Sequence, residues 1–515
     1  MIKVSANDTT NTLSKRIIFG ENRTPQGSFN YRNLALPVGP EQYEEYREKF
    51  GPDYKFRVFD DFGLPLYRDY VPGEILPAGY SILPFFPGYE FGWSSKAPWY
   101  NEEVTNRVGF HKSLYLGEEV GEGGRVYSVP GYYEWVWDGD VSSMHPHSII
   151  SEVLFGPVYT KIFADIVNAR VAVKHRDFET AGSLLGGALK PFLSEEYAKD
   201  LAQALKIVIN SIYGLTKAGF INEFRDPRNE DNIVAKRGAL FMTLLKREVE
   251  RKGYLVSHIK TDSIKIPNAD EYIKNFVINF GREFGYEFET EGVFTKFCLL
   301  NDAAYVAMEE DGSWTTKAAQ FNKDTSPYVY KTLFSHEAVE FDDMCETKSV
   351  SKGALYLDMN EDLEDVSQYE KMLEKAVKKN ADSEEIDNLK SLIANGHDYQ
   401  FIGRVGNFCP VKPGSGGGVL YRVENGKYYA ATGTTGYRWL ESEYVRKYGG
   451  KDLIDISFYS SQVNTAVEAM KSFLEPAGIE LDWFLSSAVP EKKLKAGFMN
   501  IPEGSDEEIP WDEVN

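Results

Sequence analysis

The stretch WVWDGDVSSMHPHSII, residues 135–150, decides how the rest of the chain is read. A strand-like aromatic and apolar segment runs into two closely spaced aspartates, Asp138 and Asp140, then through a Ser-Ser-Met-His-Pro turn into a second apolar segment. Burying a carboxylate at the end of such a strand is costly unless a cation or hydrogen bonds compensate it. The choices are a metal site, a salt bridge or a turn cap, and an aspartate before a turn is most often a cap.

Two further stretches bear on that choice. KIVINSIYG, residues 206–214, spaces Lys206, Asn210 and Tyr213 by four and three, so that on a helix they share one face. KTDSIKI, residues 260–266, carries Asp262 and Ser263 inside a hairpin-like alternation. Arg170 and Lys174 stand four apart on a helical segment between the first two stretches. Each signal is weak by itself: a Lys-x-x-x-Asn pair is usually a solvated face, and Thr-Asp-Ser is usually just a turn.

Composition sets the bounds. At 515 residues the chain is too long for one core, and three to four subdomains are expected from size. Hydrophobic residues at 42% and aromatic residues at 14% mark it as globular rather than disordered. Cys298, Cys345 and Cys409 fit neither a zinc pattern nor a disulfide framework; they suit a reducing compartment and suggest no redox role. No apolar run approaches the length of a membrane span, so a soluble, cytoplasmic protein is expected.

A net charge of −21 argues on average against a nucleic-acid partner, since phosphate contact calls for basic surface. The acid is uneven, however. EGSDEEIPWDEVN at the C-terminus has no basic residue, whereas residues 161–217 carry Lys161, Arg170, Lys174, Arg176, Lys190, Lys199, Lys206 and Lys217. That distribution allows a locally basic channel in an acidic protein.

In order and spacing, the stretches at Asp140, Lys206 and Asp262 resemble the three polymerase motifs of family B DNA polymerases of the bacteriophage type. Those patterns run Asp-x-x-Ser-Leu-Tyr-Pro-Ser-Ile-Ile, Lys-x-x-x-Asn-Ser-x-Tyr-Gly and Asp-Thr-Asp-Ser, and here they span residues 140–263. The resemblance implies an α+β fold of palm, fingers and thumb with an antiparallel palm sheet. Residues 1–95 are a turn-rich region of unassigned role, 96–154 the first part of the palm, 155–214 two fingers helices, 215–324 the second part of the palm, and 325–496 the thumb and C-terminal region. Residues 497–515 are expected to be an acidic disordered tail that docks on a clamp or another replication protein.

The implied activity is template-directed addition of deoxynucleotides to a primer 3′ end in phage DNA replication, within the cytoplasm of a bacterial host. Two Mg²⁺ ions, for which Mn²⁺ can substitute, would be held by Asp140, Asp262 and the Val141 carbonyl. Nucleotidyl transfer is an in-line displacement that such an ion pair catalyses, and magnesium accepts hard oxygen ligands together with substrate phosphates. Arg170, Lys174 and Lys206 would bind the incoming triphosphate, with Lys206 assisting departure of pyrophosphate. Ser143, Met144, His145, Asn210 and Tyr213 would complete the nucleotide site. Tyr115 and Gly117, in the YLGEEVGEGG element, and Gly214, Ser263 and Tyr305 would contact primer-template DNA.

Departures from the family pattern are as informative. Lys260 stands where the first Asp of Asp-Thr-Asp-Ser is common, so Asp140 and Asp262 are the only motif carboxylates. His145 and Met144 replace the usual Tyr and Leu at the sugar gate, and Ala303 stands where a primer-binding Lys is expected. No Asp-x-Glu strand of a proofreading exonuclease precedes Asp140, so that activity is expected to be absent or supplied by a separately encoded subunit. The alternatives are a catalytically inactive polymerase-like scaffold that binds primer-template, and an unrelated metal-dependent phosphohydrolase.

Overall fold

The computed structural model describes residues 9–24, 39–50, 56–61, 65–83, 89–90, 114–120, 123–218, 220, 222–225, 233–360 and 363–492. The tail expected at 497–515 lies outside them, as do parts of the region 1–95. The chain divides into two compact units, one made of residues 1–296 with 490–515 and the other of 297–489. Among the described residues, no helix is long and apolar enough to cross a membrane.

The first unit mixes helices with antiparallel sheet. Short strands β1 (Arg57–Phe59), β2 (Pro65–Asp69) and β3 (Ser81–Leu83) form a small sheet, and β4 (Tyr89–Glu90), β5 (Leu114–Tyr115) and β6 (Glu118–Glu119) form another. The main ladder runs in the order β11-β8-β10-β9-β7, from β7 (Val126–Ser128), β8 (Gly131–Val141), β9 (His258–Lys260), β10 (Ser263–Pro267) and β11 (Phe288–Asn301). β8 pairs antiparallel with β10, placing Asp140 opposite Ser263 and Asp138 opposite Lys265. Side chains directly opposite each other share a face of the sheet. One face of this pair therefore collects Asp138, Asp140, Ser263 and Lys265, while Ile264 and Ile266 turn into the core.

Helices α1 (Thr10–Phe19) and α2 (Tyr43–Phe50) precede the ladder. Helices α3 (Met144–Ser151), α4 (Gly156–Lys174), α5 (Phe178–Ser183), α6 (Ala198–Thr216), α7 (Ile233–Arg251) and α8 (Glu271–Glu283) supply the rest of the unit. Apolar residues at helical spacing, Phe163, Ile166 and Val167 on α4 with Leu205, Ile209 and Ile212 on α6, are buried together in one core. α6 does not end at Gly214 as its sequence suggests. It continues to Thr216, whose hydroxyl donates to the Tyr213 carbonyl at 2.7 Å.

The region 1–95 does contribute to this core. α1 packs on α4 and α6, with Phe19 among Phe155, Tyr159 and Phe224 at centroid distances of 6.0, 4.9 and 4.7 Å. The Ser211 hydroxyl on α6 donates to the Asn11 side chain, and Lys15 pairs with Glu223 at 2.7 Å.

The second unit begins with the hairpin β12 (Ala304–Glu309) and β13 (Trp314–Lys317) and the short helix α9 (Pro327–Tyr330). Trp314 of β13 lies 5.2 Å from the Phe334 ring and 5.5 Å from that of Phe484, which ties the hairpin to the rest of this unit. Two sheets follow. One has the order β14-β17-β20, from β14 (Glu346–Ser349), β17 (Val405–Val411) and β20 (Arg438–Glu441). The other has the order β16-β15-β18-β19, from β15 (Ala354–Asp358), β16 (Tyr399–Gly403), β18 (Val419–Glu424) and β19 (Lys427–Ala430).

Helices α10 (Leu363–Lys378) and α11 (Ser383–Asn395) connect β15 to β16, and Asp382 caps α11 by accepting from the Glu385 amide at 2.8 Å. The apolar face of α10 is only partly buried. Ala376 is covered, but Met372 and Val377 are exposed. Helices α12 (Ser442–Tyr448), α13 (Ile456–Leu474) and α14 (Leu481–Leu485) complete the unit, whose core gathers Leu357, Phe408, Leu420, Trp439 and Phe458.

Candidate active site

Asp140 is the penultimate residue of β8, and Asp262 occupies the two-residue turn between β9 and β10. That turn is held in place by its backbone: the Val141 amide donates to the Asp262 carbonyl at 2.8 Å, and the Thr261 amide to the Arg125 carbonyl at 2.7 Å. Thr261 takes a left-handed φ of 58°, and a side chain at Gly124 would meet the Thr261 side chain at 2.6 Å. The hairpin thus delivers Asp262 to the end of β8 where Asp140 stands.

The electrostatics of this corner are strained in one direction. Burial, then the carboxylates of Asp262, Glu291 and Asp138, push the Asp140 carboxyl up to about 7, with Lys265 pulling the other way. Asp262 is also raised, chiefly by burial and against the opposing pull of its own backbone hydrogen bond and Lys265. Concentrated acid with insufficient countercharge suits a bound cation. Among the described residues no three His, Cys, Asp or Glu side chains form a metal cluster by themselves, so further ligands would come from backbone, water and substrate oxygen. Magnesium accepts such a shell.

Sequence reading overlooked three partners at this corner. Lys265 is almost fully buried and donates to Asp138 at 2.9 Å, so one of the two opening aspartates is a salt bridge rather than a free acid. Glu289 and Glu291 come from β11, beside β8. Their signal was present in EFETEG, where Glu287, Glu289 and Glu291 alternate with period two and so share one strand face. Lys260 pairs across β9 and β10 with Ser263, and its side chain is exposed on the same face as Asp140.

After β8 the chain turns sharply. Ser143 adopts the left-handed conformation, φ 60° and ψ 53°, an unusual state for a residue with a side chain, and its hydroxyl accepts from Arg170 at 3.3 Å. Among the described residues, the Arg170 Nε is buried with no hydrogen-bond partner. Lys174, one turn along α4, is exposed and lies 3.6 Å from Glu289. Met144 is buried against Gly238 of α7, where a side chain would come within 2.6 Å of its sulfur.

His145 stacks on Tyr213 of α6, with centroids 4.3 Å apart and planes inclined by 24°. Lys217 lies 5.0 Å over the other partner's ring, that of Tyr213. Burial first, and Lys217 second, hold the His145 imidazole below its ordinary pKa, which favours the neutral ring. Asn210 and Lys206 are exposed one and two turns back along α6. Gly214 is exposed, and a Cβ there would touch nothing within 4 Å.

The other four residues expected to contact DNA fare differently. Ser263 lies on the acidic face, with its hydroxyl 3.5 Å from Lys265. Gly117 occupies the turn between β5 and β6 with a φ of 79°. Tyr115 and Tyr305 are only 2% and 5% exposed, and Tyr305 packs 5.0 Å from Phe297, so both side chains serve as core rather than surface.

No protein-family profile matches the chain, and no curated protein does. Among solved structures it is similar to the family B DNA polymerase of the hyperthermophilic archaeon Pyrobaculum calidifontis, at 16% identity with a TM-score of 0.36. The match covers 73% of this chain and 50% of that polymerase, so the chain spans half its length. A likeness this distant assigns no function.

Proposed function

We propose that the chain is a template-directed DNA polymerase, extending a primer 3′ end with deoxynucleotides in phage replication. The observation that supports this best is the stack of His145 on Tyr213. It joins the first and second motifs directly, a few residues from the turn that carries the third, although 67 residues of sequence separate His145 from Tyr213.

On this reading Asp140 and Asp262, with the Val141 carbonyl, would hold two Mg²⁺ ions or Mn²⁺ in their place. When bound, such ions stabilise the attacking and leaving oxygens of an in-line displacement. Arg170, Lys174 and Lys206 neutralise the triphosphate, and the exposed Lys206 can give a proton to departing pyrophosphate. The stacked rings of His145 and Tyr213 form an aromatic floor under the sugar and nascent base pair, and the bare Gly214 admits the duplex beside them. Ser263 sits next to the primer terminus. Family B polymerases use palm, fingers and thumb for these tasks, and the same assignment is proposed here. That no Asp-x-Glu sequence occurs before Asp140 supports the further view that these 515 residues do not themselves proofread.

A second reading, an inactive scaffold for primer-template, draws on Lys260, which adds a positive charge to the acidic face where the motif commonly has an aspartate. Primer extension with Mg²⁺ and all four deoxynucleotides separates the two. Extension supports a polymerase; tight primer-template binding without extension supports the scaffold.

A further inference from the structure

Cys345 and Cys409 are far apart in sequence, yet the fold makes them cross-strand neighbours. β14 and β17 pair antiparallel with Glu346 opposite Phe408 and Thr347 opposite Asn407, and the same register carried back one residue sets Cys345 opposite Cys409. Their sulfurs are 3.5 Å apart. Directly opposed residues in an antiparallel pair have Cα atoms about 4.5–5.5 Å apart, within the range of about 4.4–6.8 Å that a disulfide spans. Closing the bond needs only side-chain rotation.

The two thiols are not equivalent. Cys409 is fully buried, whereas Cys345 is partly open to solvent. A hydrogen bond from Cys409 lowers the Cys345 pKa, with Arg446 assisting, and burial, Asp342 and Glu346 opposing. The same hydrogen bond and burial raise Cys409. A more acidic, more accessible thiol beside a buried one is the arrangement of an attacking and a resolving cysteine. Cys298, the remaining thiol, is buried and pushed up to about 12 by that burial, which makes it an internal control.

We propose that Cys345 and Cys409 form a redox modification site for low-molecular-weight disulfides, in which Cys345 attacks and Cys409 resolves. The Cys345 thiolate attacks one sulfur of the small disulfide, forming a mixed disulfide and expelling a thiolate that takes up the proton Cys345 lost. Cys409 then attacks the Cys345 sulfur, and its proton leaves with the second small thiol. Two S–H bonds and one S–S bond are lost by the reactants; one protein S–S bond and two small thiols are formed. The protein dithiol is oxidised and the small disulfide reduced, so no other oxidant is needed.

The test is to incubate the full chain with oxidised glutathione near pH 8, quench with acid, and read thiol count, intact mass and cross-linked tryptic peptides. The wild type should lose two of its three titratable thiols and two hydrogens in mass, yield a peptide joining Cys345 to Cys409, and revert with dithiothreitol. Cys298 should label only after denaturation. Cys409→Ser should retain one glutathione on Cys345, and Cys345→Ser should take up none. The proposal is overturned if the wild type keeps three titratable thiols, or if its Cys345 adduct persists as long as that of Cys409→Ser. The wild-type mass needs no variant to fold.

Discussion

Lys265 and Asp138 face each other across the β8–β10 ladder, nitrogen to oxygen at 2.9 Å, both nearly buried. Lys265 also lowers the pKa of Asp140 and of Asp262. The pair thus fixes strand register and supplies positive charge behind the acids. Lys265→Met strands Asp138 as an uncompensated buried acid, which should cost about 3–5 kcal/mol in urea unfolding. Adding Asp138→Asn should restore much of that loss. In the single variant, where Asp138 remains, removal of Lys265 also removes a pull favouring ionised Asp140 and Asp262, so the acid limb of the extension pH profile should move to higher pH; in the double variant the loss of Asp138, which raises both acids, should offset that shift. An unmoved limb would disconnect Lys265 from the acids.

Asp140→Asn and Asp262→Asn should each lower extension by several powers of ten while primer-template binding stays near wild type, because the acids act chiefly on the transition state. Near wild-type extension by Asp262→Asn would remove that residue from the site. Stability should move the other way. The Asp140 carboxyl titrates near 7 in the folded chain rather than near its ordinary 3.8. The folded state therefore keeps a proton that the unfolded state has already released, and stability falls as pH rises from about 4 to about 7. Asp140→Asn removes that loss, so without divalent ions its melting temperature should exceed the wild type's at pH 8, and the gap should close toward pH 4. A gap independent of pH would contradict the shifted titration.

Phe19→Ala tests whether α1 belongs to the functional unit. Phe19 is 4% exposed and touches three aromatic rings, so truncation should destabilise the first unit by about 3–5 kcal/mol. Since α1 packs along α6, which carries Lys206, Asn210 and Tyr213, extension should suffer more through KM for the nucleotide than through kcat. A melting temperature within a degree of wild type would show that α1 is not docked there.

The hairpin and helices that carry the motifs were legible because their signals are local. Alternation in KTDSIKI marks the β9–β10 hairpin, and helical spacing marks α4 and α6. What escaped was non-local. Nothing in WVWDGD tells Asp138 from Asp140; only the register with β10 gives one a buried lysine and leaves the other among acids. Cys345 and Cys409 were separated by 63 intervening residues in sequence and joined by a strand pair. Tyr115 and Tyr305 stand at motif positions, and the motifs alone do not show that both side chains are buried. α1 carries no motif, and its place on α6 depends on contacts with residues some two hundred positions away.

His145 is expected to act as a weakened sugar gate. It stands where the resembling family has a tyrosine, and its ring lies parallel to Tyr213 rather than projecting alone. Selection against ribonucleotides at such a gate is differential transition-state binding. An imidazole reaches less far than a phenol and can hydrogen-bond the 2′-hydroxyl it should exclude. Burial and Lys217 keep it neutral, so between pH 7 and 9 its discrimination should not change. His145→Ala opens the space above Tyr213 and should lower the ratio of kcat/KM for deoxynucleotide over ribonucleotide by roughly tenfold, the scale of a lost pocket contact. His145→Tyr should raise the ratio by a similar factor, provided the larger ring keeps the stack. Measuring that ratio in the three proteins, at two pH values, decides the matter: equal ratios would mean that the imidazole does not meet the sugar, and that its stack with Tyr213 is packing alone.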